Sequence, residues 1–319
     1  TAATYSNRAK VQSTADAYID SAYSSTDSII ISLITWYGGR GLFGGGTGTT
    51  DTIDYITIST TGNATDFGNL TQSRSHASSC SNGSRGVWGG GYSMPYNIID
   101  YITISTTGDA TDFGDITVAR YDLAALSDGI KGLFGGGYAG GQTNVIDYIT
   151  ISTTGNAIDF GDMTIGTQSL GSCSNGTRGI WGGGTGALGN TIQYVTVATT
   201  GDAVDFGDLT ASKYGTSACS DATRGVWGGG YAGGQTNVIE YITMATTGNG
   251  TDFGDLANSV RFAGSCSDGT KGVWGGGQIT SSGGPVQSAI EYITIQTTGN
   301  ASSFGNLTSA RRTIGCSGD

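Results

Sequence analysis

Histidine is nearly absent from this chain: His76 stands alone among 319 residues. A metal centre built on several imidazoles cannot be assembled from it. Ser–His–Asp catalysis would rest on His76 alone, and no Gly-x-Ser-x-Gly sequence supports it. Cations are also scarce. Fourteen Lys and Arg stand against 25 Asp and Glu, a net charge of −11, which argues against non-specific binding to nucleic acid. No apolar run approaches the ~18 residues of a membrane-spanning helix, so membrane insertion is not expected. The N-terminus lacks the charged-then-apolar order of a signal peptide. Proline is down to two residues and charged residues to 12%. The five cysteines, Cys80, Cys173, Cys219, Cys266 and Cys316, recur at one register position where Leu126 also stands. An odd count of equivalent cysteines, replaceable by Leu, reads as small buried hydrophobes rather than a disulfide framework. A ring of thiols around a metal is the other reading of that register.

What the chain has in abundance is glycine, 58 residues, and the glycines keep register. Arg224-Gly225-Val226-Trp227-Gly228-Gly229-Gly230 has six counterparts including itself, with triplets opening at Gly44, Gly89, Gly135, Gly182, Gly228 and Gly275. The steps of 45, 46, 47, 46 and 47 residues are those of a repeat architecture. An aromatic precedes each triplet: Phe43, Trp88, Phe134, Trp181, Trp227 and Trp274. A cation lies four positions before each: Arg40, Arg85, Lys131, Arg178, Arg224 and Lys271. Glycine richness without a period would suggest disorder; in register it suggests turns and close strand packing.

One unit predicts four short strands. Ser217–Ser220 is strand a, Arg224–Trp227 strand b, Val238–Ala245 strand c and Thr251–Leu256 strand d. Asn-Gly at Asn82 and Asn175 marks the a–b hairpin turn. Six four-stranded antiparallel units that cannot bury both faces alone predict an all-β, six-bladed β-propeller over residues 38–319. The aromatic of strand b and the Phe of strand d are expected to fill the layers between blades. The first unit starts at strand b, and the chain ends on a strand a at Thr313–Asp319. The C-terminal strand should therefore complete the N-terminal blade. Residues 1–37 lie outside the repeat and read as an N-terminal arm, with a short helix near Val11–Tyr23 and a strand at Ile29–Ile34.

Gly89-Gly90-Gly91, Asp100-Tyr101, Phe113, Ile116 and Arg120 together resemble the kelch repeat, although Phe stands where that family usually has Trp in strand d. The segment Tyr55–Thr71 is similar to kelch-like repeats in virion-associated proteins of tailed bacteriophages. The first resemblance implies a propeller; the second implies a particle component. Some kelch-type folds carry a copper oxidase centre with two His and a Tyr–Cys pair, which a chain with one His does not match.

Other chemistry is thinly represented. Asp66, Asp112, Asp159, Asp205 and Asp252 recur in strand d, with Asp115, Asp162, Asp208 and Asp255 three residues later. They read as partners of the strand-b cations or of turns, with Ca²⁺ as the other reading. The six strand-b cations are structural on this view; a ring of them at the channel mouth holding an anion is the alternative. His76 reads as a surface or rim residue. The Asn-x-Ser/Thr sequences, such as Asn63-Ala64-Thr65, arise from turn chemistry.

Strand alternation puts the uniform a–b and c–d turns on one face and the b–c and d–a loops on the other. From triplet to strand-c tyrosine, the b–c loops hold 8, 9, 10, 9, 10 and 14 residues, and their sequences diverge. Tyr92, Tyr96, Tyr138 and Tyr231 lie in them; Tyr121, Tyr214 and Phe262 lie in the d–a loops. Varied loops rich in Tyr, Gly and Ser on a rigid ring suit recognition, against a reading in which they have simply drifted in solvent. These seven aromatics are the candidate ligand-binding residues, with no catalytic residue, metal or cofactor expected. The leading expectation is a non-enzymatic virion protein of a tailed phage. Its arm would bind other virion proteins, and its loop face would decorate the particle or engage a host-surface glycan. The alternative is a secreted or surface lectin.

Overall fold

The structure is a computed structural model that describes residues 38–48, 50–92, 97–186, 188–279, 284–312 and 314–318. The expected arm, its helix and strand, and Tyr96 lie outside the described residues. Those described form six four-stranded antiparallel sheets arranged as a β-propeller. Blade 2 shows the pattern: strand a at Ser78–Ser81, b at Arg85–Gly89, c at Ile98–Thr103 and d at Thr111–Asp115. The a strands, Ser78–Ser81, Ala124–Ser127, Gly171–Ser174, Ser217–Ser220, Gly264–Ser267 and Gly315–Gly318, neighbour one another around the ring and form its inner wall. No helix among the described residues is long and apolar enough to cross a membrane.

The ring closes as the chain ends predicted. Gly315–Gly318 pairs antiparallel with Arg40–Gly44, from Gly41↔Gly318 to Gly44↔Gly315. The last strand of the chain is thus the innermost strand of the first blade. Opening the ring requires breaking this ladder together with the layer beneath it, where Phe43 and Ile56 of blade 1 pack on Val273 and Phe304 of blade 6.

The triplet's first glycine is a steric requirement. A Cβ on Gly228 would lie 2.8 Å from Trp274 Cε2, and one on Gly275 would lie 2.7 Å from Phe43 Cε1. Each strand-b aromatic therefore packs against the preceding blade at a place only glycine leaves open. All six rings are buried, and the indole N–H groups of Trp88 and Trp181 donate to the carbonyls of Gly315 and Ala124 at 3.1 Å. That satisfies a polar group that burial would otherwise strand. The triplet's next two glycines, Gly90 and Gly91, have φ of +67° and +135° and turn the chain out into the b–c loop. The strand-d Phe completes the layer, with Phe113 edge-on to Tyr101 at 5.8 Å.

The cysteines are free and pack between blades. A Cβ on Gly132 would meet Cys80 Sγ at 2.6 Å, and the same glycine position in the next blade faces Leu126. Burial, aided by Asp128, pushes the Cys80 thiol up to about 12. Cys80, Cys173, Cys219 and Cys266 behave as the apolar spacers that their exchange for Leu implied; Cys316 does not share their register, since it pairs with Phe43 as Ser79 pairs with Trp88.

The charges do not pair as the sequence suggested. The strand-b cations reach neither the strand-d acids nor the channel mouth. Arg85 stacks 4.5 Å over Tyr101 and donates to the Ile151 carbonyl of the next blade at 3.1 Å. Lys271 does the same across the closure, over Tyr292 and onto Ser59 O at 2.8 Å. These cations staple neighbouring blades on the uniform face. The strand-d acids Asp66, Asp112, Asp159, Asp205 and Asp252 are exposed. The buried ion pairs instead join the strand-c acid to a cation in the loop before strand a. They are Arg74–Asp100 and Arg120–Asp147 at 2.8 Å, Arg311–Asp54 at 2.9 Å, and Lys213–Glu240. The Asn of the c–d turn caps its neighbour: Asn156 Oδ1 accepts from the Asp115 N–H at 3.1 Å. That gives the recurring Asn a structural reason.

Candidate ligand site at the channel mouth

Each d–a loop must turn sharply inward to start strand a. It does so at one register position, occupied by His76, Asp122, Ser169, Gly215 and Phe262. The four non-glycine residues have φ between 57° and 59°, and Gly215 has φ of 65°. The left-handed conformation is unfavourable for a side-chain-bearing residue, most of all for a bulky one such as Phe262. A belt of backbone hydrogen bonds holds it. The N–H of Asp122 donates to His76 O at 3.1 Å, Ser169 to Asp122 at 2.8 Å, Gly215 to Ser169 at 2.7 Å and Phe262 to Gly215 at 2.7 Å. Among the described residues, five blades thus present the same backbone geometry to the channel mouth, and four of them direct a side chain from it.

A second tier sits on this belt. The residue before each left-handed position pairs with the residue after the glycine triplet of the same blade: Ser75 with Tyr92, Tyr121 with Tyr138, Tyr214 with Tyr231, and Arg261 with Gln278. These bridges join d–a and b–c loops, as the face assignment predicted. They bring Tyr92, Tyr121, Tyr138, Tyr214, Tyr231 and Phe262 into one cluster. Tyr92 and Tyr121 lie 4.9 Å apart, Tyr121 and Tyr138 5.3 Å, Tyr214 and Tyr231 5.2 Å, and Tyr214 and Phe262 6.2 Å. His76 links the two arcs, 6.0 Å from both Tyr121 and Phe262. Gly215 is what admits the Phe262 ring, since a Cβ there would lie 2.9 Å from Cε1.

Three polar features were not anticipated. His76 Nδ1 is paired with the Asp122 carboxylate, so it is a rim residue with a fixed orientation. Arg261, 8% exposed, has its guanidinium 5.8, 5.3 and 5.2 Å from the rings of Tyr214, Tyr231 and Phe262. It donates to Tyr214 OH at 3.0 Å and twice to Gln278 Oε1, at 3.2 and 3.1 Å. Arg312 donates to the same amide oxygen. Burial lowers the Arg312 pKa, and the adjacent charge of Arg261 lowers it further, while Asp122 opposes both. Burial also raises the Tyr121 phenol, with Asp122, Tyr138 and Tyr92 adding to it, so it stays protonated. Register alone could have found these residues: the position of Tyr121 and Tyr214 carries Arg in the last two d–a loops.

No protein-family model matches this chain, and a search of curated proteins finds no similar sequence. Its reading therefore rests on the site itself. Beneath the belt lies a cavity of about 110 Å³ inside the a strands, lined by Ser78, Ser79, Ala125, Ser172, Ser217 and Ser265 among others. Several of these hydroxyls bridge blades, as Ser172 does to Ala125 O at 2.8 Å. Ser79 and Ser217 have buried Oγ atoms without a protein partner, which suits ordered water. Among the described residues, no group of three or more His, Cys, Asp or Glu is placed to hold a metal ion. The mouth combines stacking surfaces, hydroxyls, an amide and two cations. Such a set binds a polar ring compound by stacking and directed hydrogen bonds.

Proposed function

We propose that this protein is a non-enzymatic recognition protein whose channel mouth binds a glycan. In the fuller form of the proposal it is a kelch-like component of a tailed-phage particle, attached through residues 1–37 and turning its loop face to a host surface. One observation supports the binding role above the rest: in a ring of near-identical repeats, the unlike side chains gather at one mouth. Drift in solvent loops would scatter them. The particle role is supported by the resemblance of Tyr55–Thr71 to virion-associated repeats.

A glycan array tests the binding role. The protein should select particular sugars, and Tyr138→Ala or Tyr231→Ala should remove the selection while leaving the fold intact. Absence of any selective sugar by the wild-type protein would overturn it. Deleting residues 1–35 tests the arm: the folded propeller should no longer enter the particle. If the particle role fails, the mouth still supports a lectin. The His76–Asp122 pair favours one second reading, a general base at the mouth. Turnover of a bound glycan that disappears in His76→Asn would establish it.

A further inference from the structure

We infer that the mouth selects a sugar carrying a negatively charged group and that Arg261 is its anchor. This rests on the glycan-binding reading above and specifies the ligand class.

The argument starts from a displaced charge. In the loop before strand a, blades 1, 2, 3 and 5 place Arg311, Arg74, Arg120 and Lys213 against the buried acid of strand c. Blade 4 neutralises both positions, with Thr167 and Gln193. Blade 6 alone keeps the acid and moves the cation. Val260 occupies the pairing position and Arg261 follows it. Among the described residues no cation pairs with Glu291, which is held by the Ala257 N–H at 2.8 Å. A buried carboxylate without its counter-charge lowers stability. Local stability is most often given up in this way at functional sites.

The shift by one residue carries the guanidinium from the interblade core to the mouth. There Arg261 meets a neutral amide, a phenol and three aromatic faces, and none of the ion pairs among the described residues includes it. Arg312 adds a second cation on the same Gln278 oxygen. The Arg261 guanidinium, whose hydrogen-bond partners Gln278 and Tyr214 are both uncharged, forms a local positive site that a carboxylate, sulfate or phosphate complements. Asp122, held by His76, lies within electrostatic reach of Arg312 and offsets part of that charge, so the acidic group of the ligand is placed on Arg261, with its ring over Tyr214, Tyr231 and Phe262.

The test is isothermal titration of the full chain with three oligosaccharides: an oligogalacturonate, a heparin-derived sulfated oligosaccharide and a neutral maltooligosaccharide. One of the two acidic probes should bind at least about tenfold tighter than the neutral one, and the better of the two identifies the group. Its affinity should fall with added salt. Arg261→Gln should lose at least about tenfold, and Arg312→Gln, at a more exposed position, should lose affinity in the same direction. Both variants are checked for unchanged near-UV dichroism; if Arg261→Gln does not fold, Arg312→Gln and the salt dependence of the wild type decide. If the neutral oligosaccharide binds as well and only Tyr138→Ala weakens it, the anion inference fails and glycan recognition stands. If no probe binds while the array shows a selective neutral sugar, the inference fails in the same way. If neither array nor titration shows binding, both readings fail.

Discussion

Blade 4 is a natural experiment in the buried charges, and it can be transplanted into blade 3. Arg120→Thr removes the cation facing Asp147, which has no solvent exposure. It breaks the ion pair at 2.8 Å and the donation from Arg120 to Phe134 O at 3.0 Å. Thr117 still donates to the carboxylate, its N–H at 3.3 Å, but the negative charge is left uncompensated. Removing one partner of a buried pair costs about 3–5 kcal/mol. For a domain of this size that lowers Tm by about 5–9 °C. Adding Asp147→Gln recreates the blade 4 arrangement. There Gln193 Oε1 accepts from the Thr164 N–H at 2.7 Å and the Thr164 hydroxyl at 2.8 Å, with no charge to balance. The double variant should cost only about 1–2 kcal/mol, mostly the lost donor to Phe134 O. Asp147→Gln alone strands the buried Arg120 and should also cost about 3–5 kcal/mol, so the double variant should cost at least about 4 kcal/mol less than the sum of the two single variants. Guanidinium unfolding followed by tryptophan fluorescence, with thermal scans in parallel, measures all four corners. If Arg120→Thr unfolds no earlier than wild type, or the double variant shows the sum of the two single costs, the pair is not a coupled unit and the reasoning is wrong.

Other consequences can be checked with the same methods. Burial raises the Glu291 pKa, with hydrogen bonds from Ala257 and Asn258 opposing. Below the unfolded value of about 4.3 the group is protonated in both states. As pH rises through the higher folded value, the folded state must hold a buried charge and stability falls. Glu291→Gln should therefore be more stable than wild type at pH 7 and converge with it near pH 3.5–4; equal stability throughout would refute this. Gly228→Ala puts a Cβ 2.8 Å from Trp274 and should cost about 1–3 kcal/mol by overpacking, read as an earlier denaturation midpoint. Cys80, Cys173, Cys219 and Cys266 are buried and should resist a thiol reagent at pH 8 until denaturant is added; prompt reaction in the native state would place them at the surface. Truncation before Gly315 removes the closing strand and should destabilise the fold far more than removing a single loop, as measured by thermal unfolding.

Much of the fold was legible because its signals are periodic. Six recurrences of glycine, aromatic and cation fixed the number of blades, and the offset between chain ends foretold the closure onto Arg40–Gly44. Strand parity assigned the loops to faces, which is why six of the seven aromatics chosen from the sequence are found together at the mouth; the seventh, Tyr96, lies outside the described residues. The pairing of charges was not legible. Most units carry cations at two places and acids at three, at near-constant spacing, so repetition cannot say which meet. Radial packing decides it: the strand-c acid points into the layer between blades and meets the loop before strand a, while the strand-b cation points to the uniform face and finds a tyrosine ring.

The candidate site divides in the same way. Sequence alone determined which residues vary and which face they share, since both follow from register and alternation. Only the tertiary structure placed Arg261, Arg312, Gln278, His76 and Asp122 among the aromatics. Ring closure brings the loops of blades 6 and 1 beside those of blade 2, across more than 180 residues of chain, and no local pattern records a distance of that kind. The left-handed turn then sets His76, Asp122, Ser169 and Phe262 in the same backbone geometry at the mouth. The repeat makes the ring, and the departures from the repeat, gathered by closure, make the site.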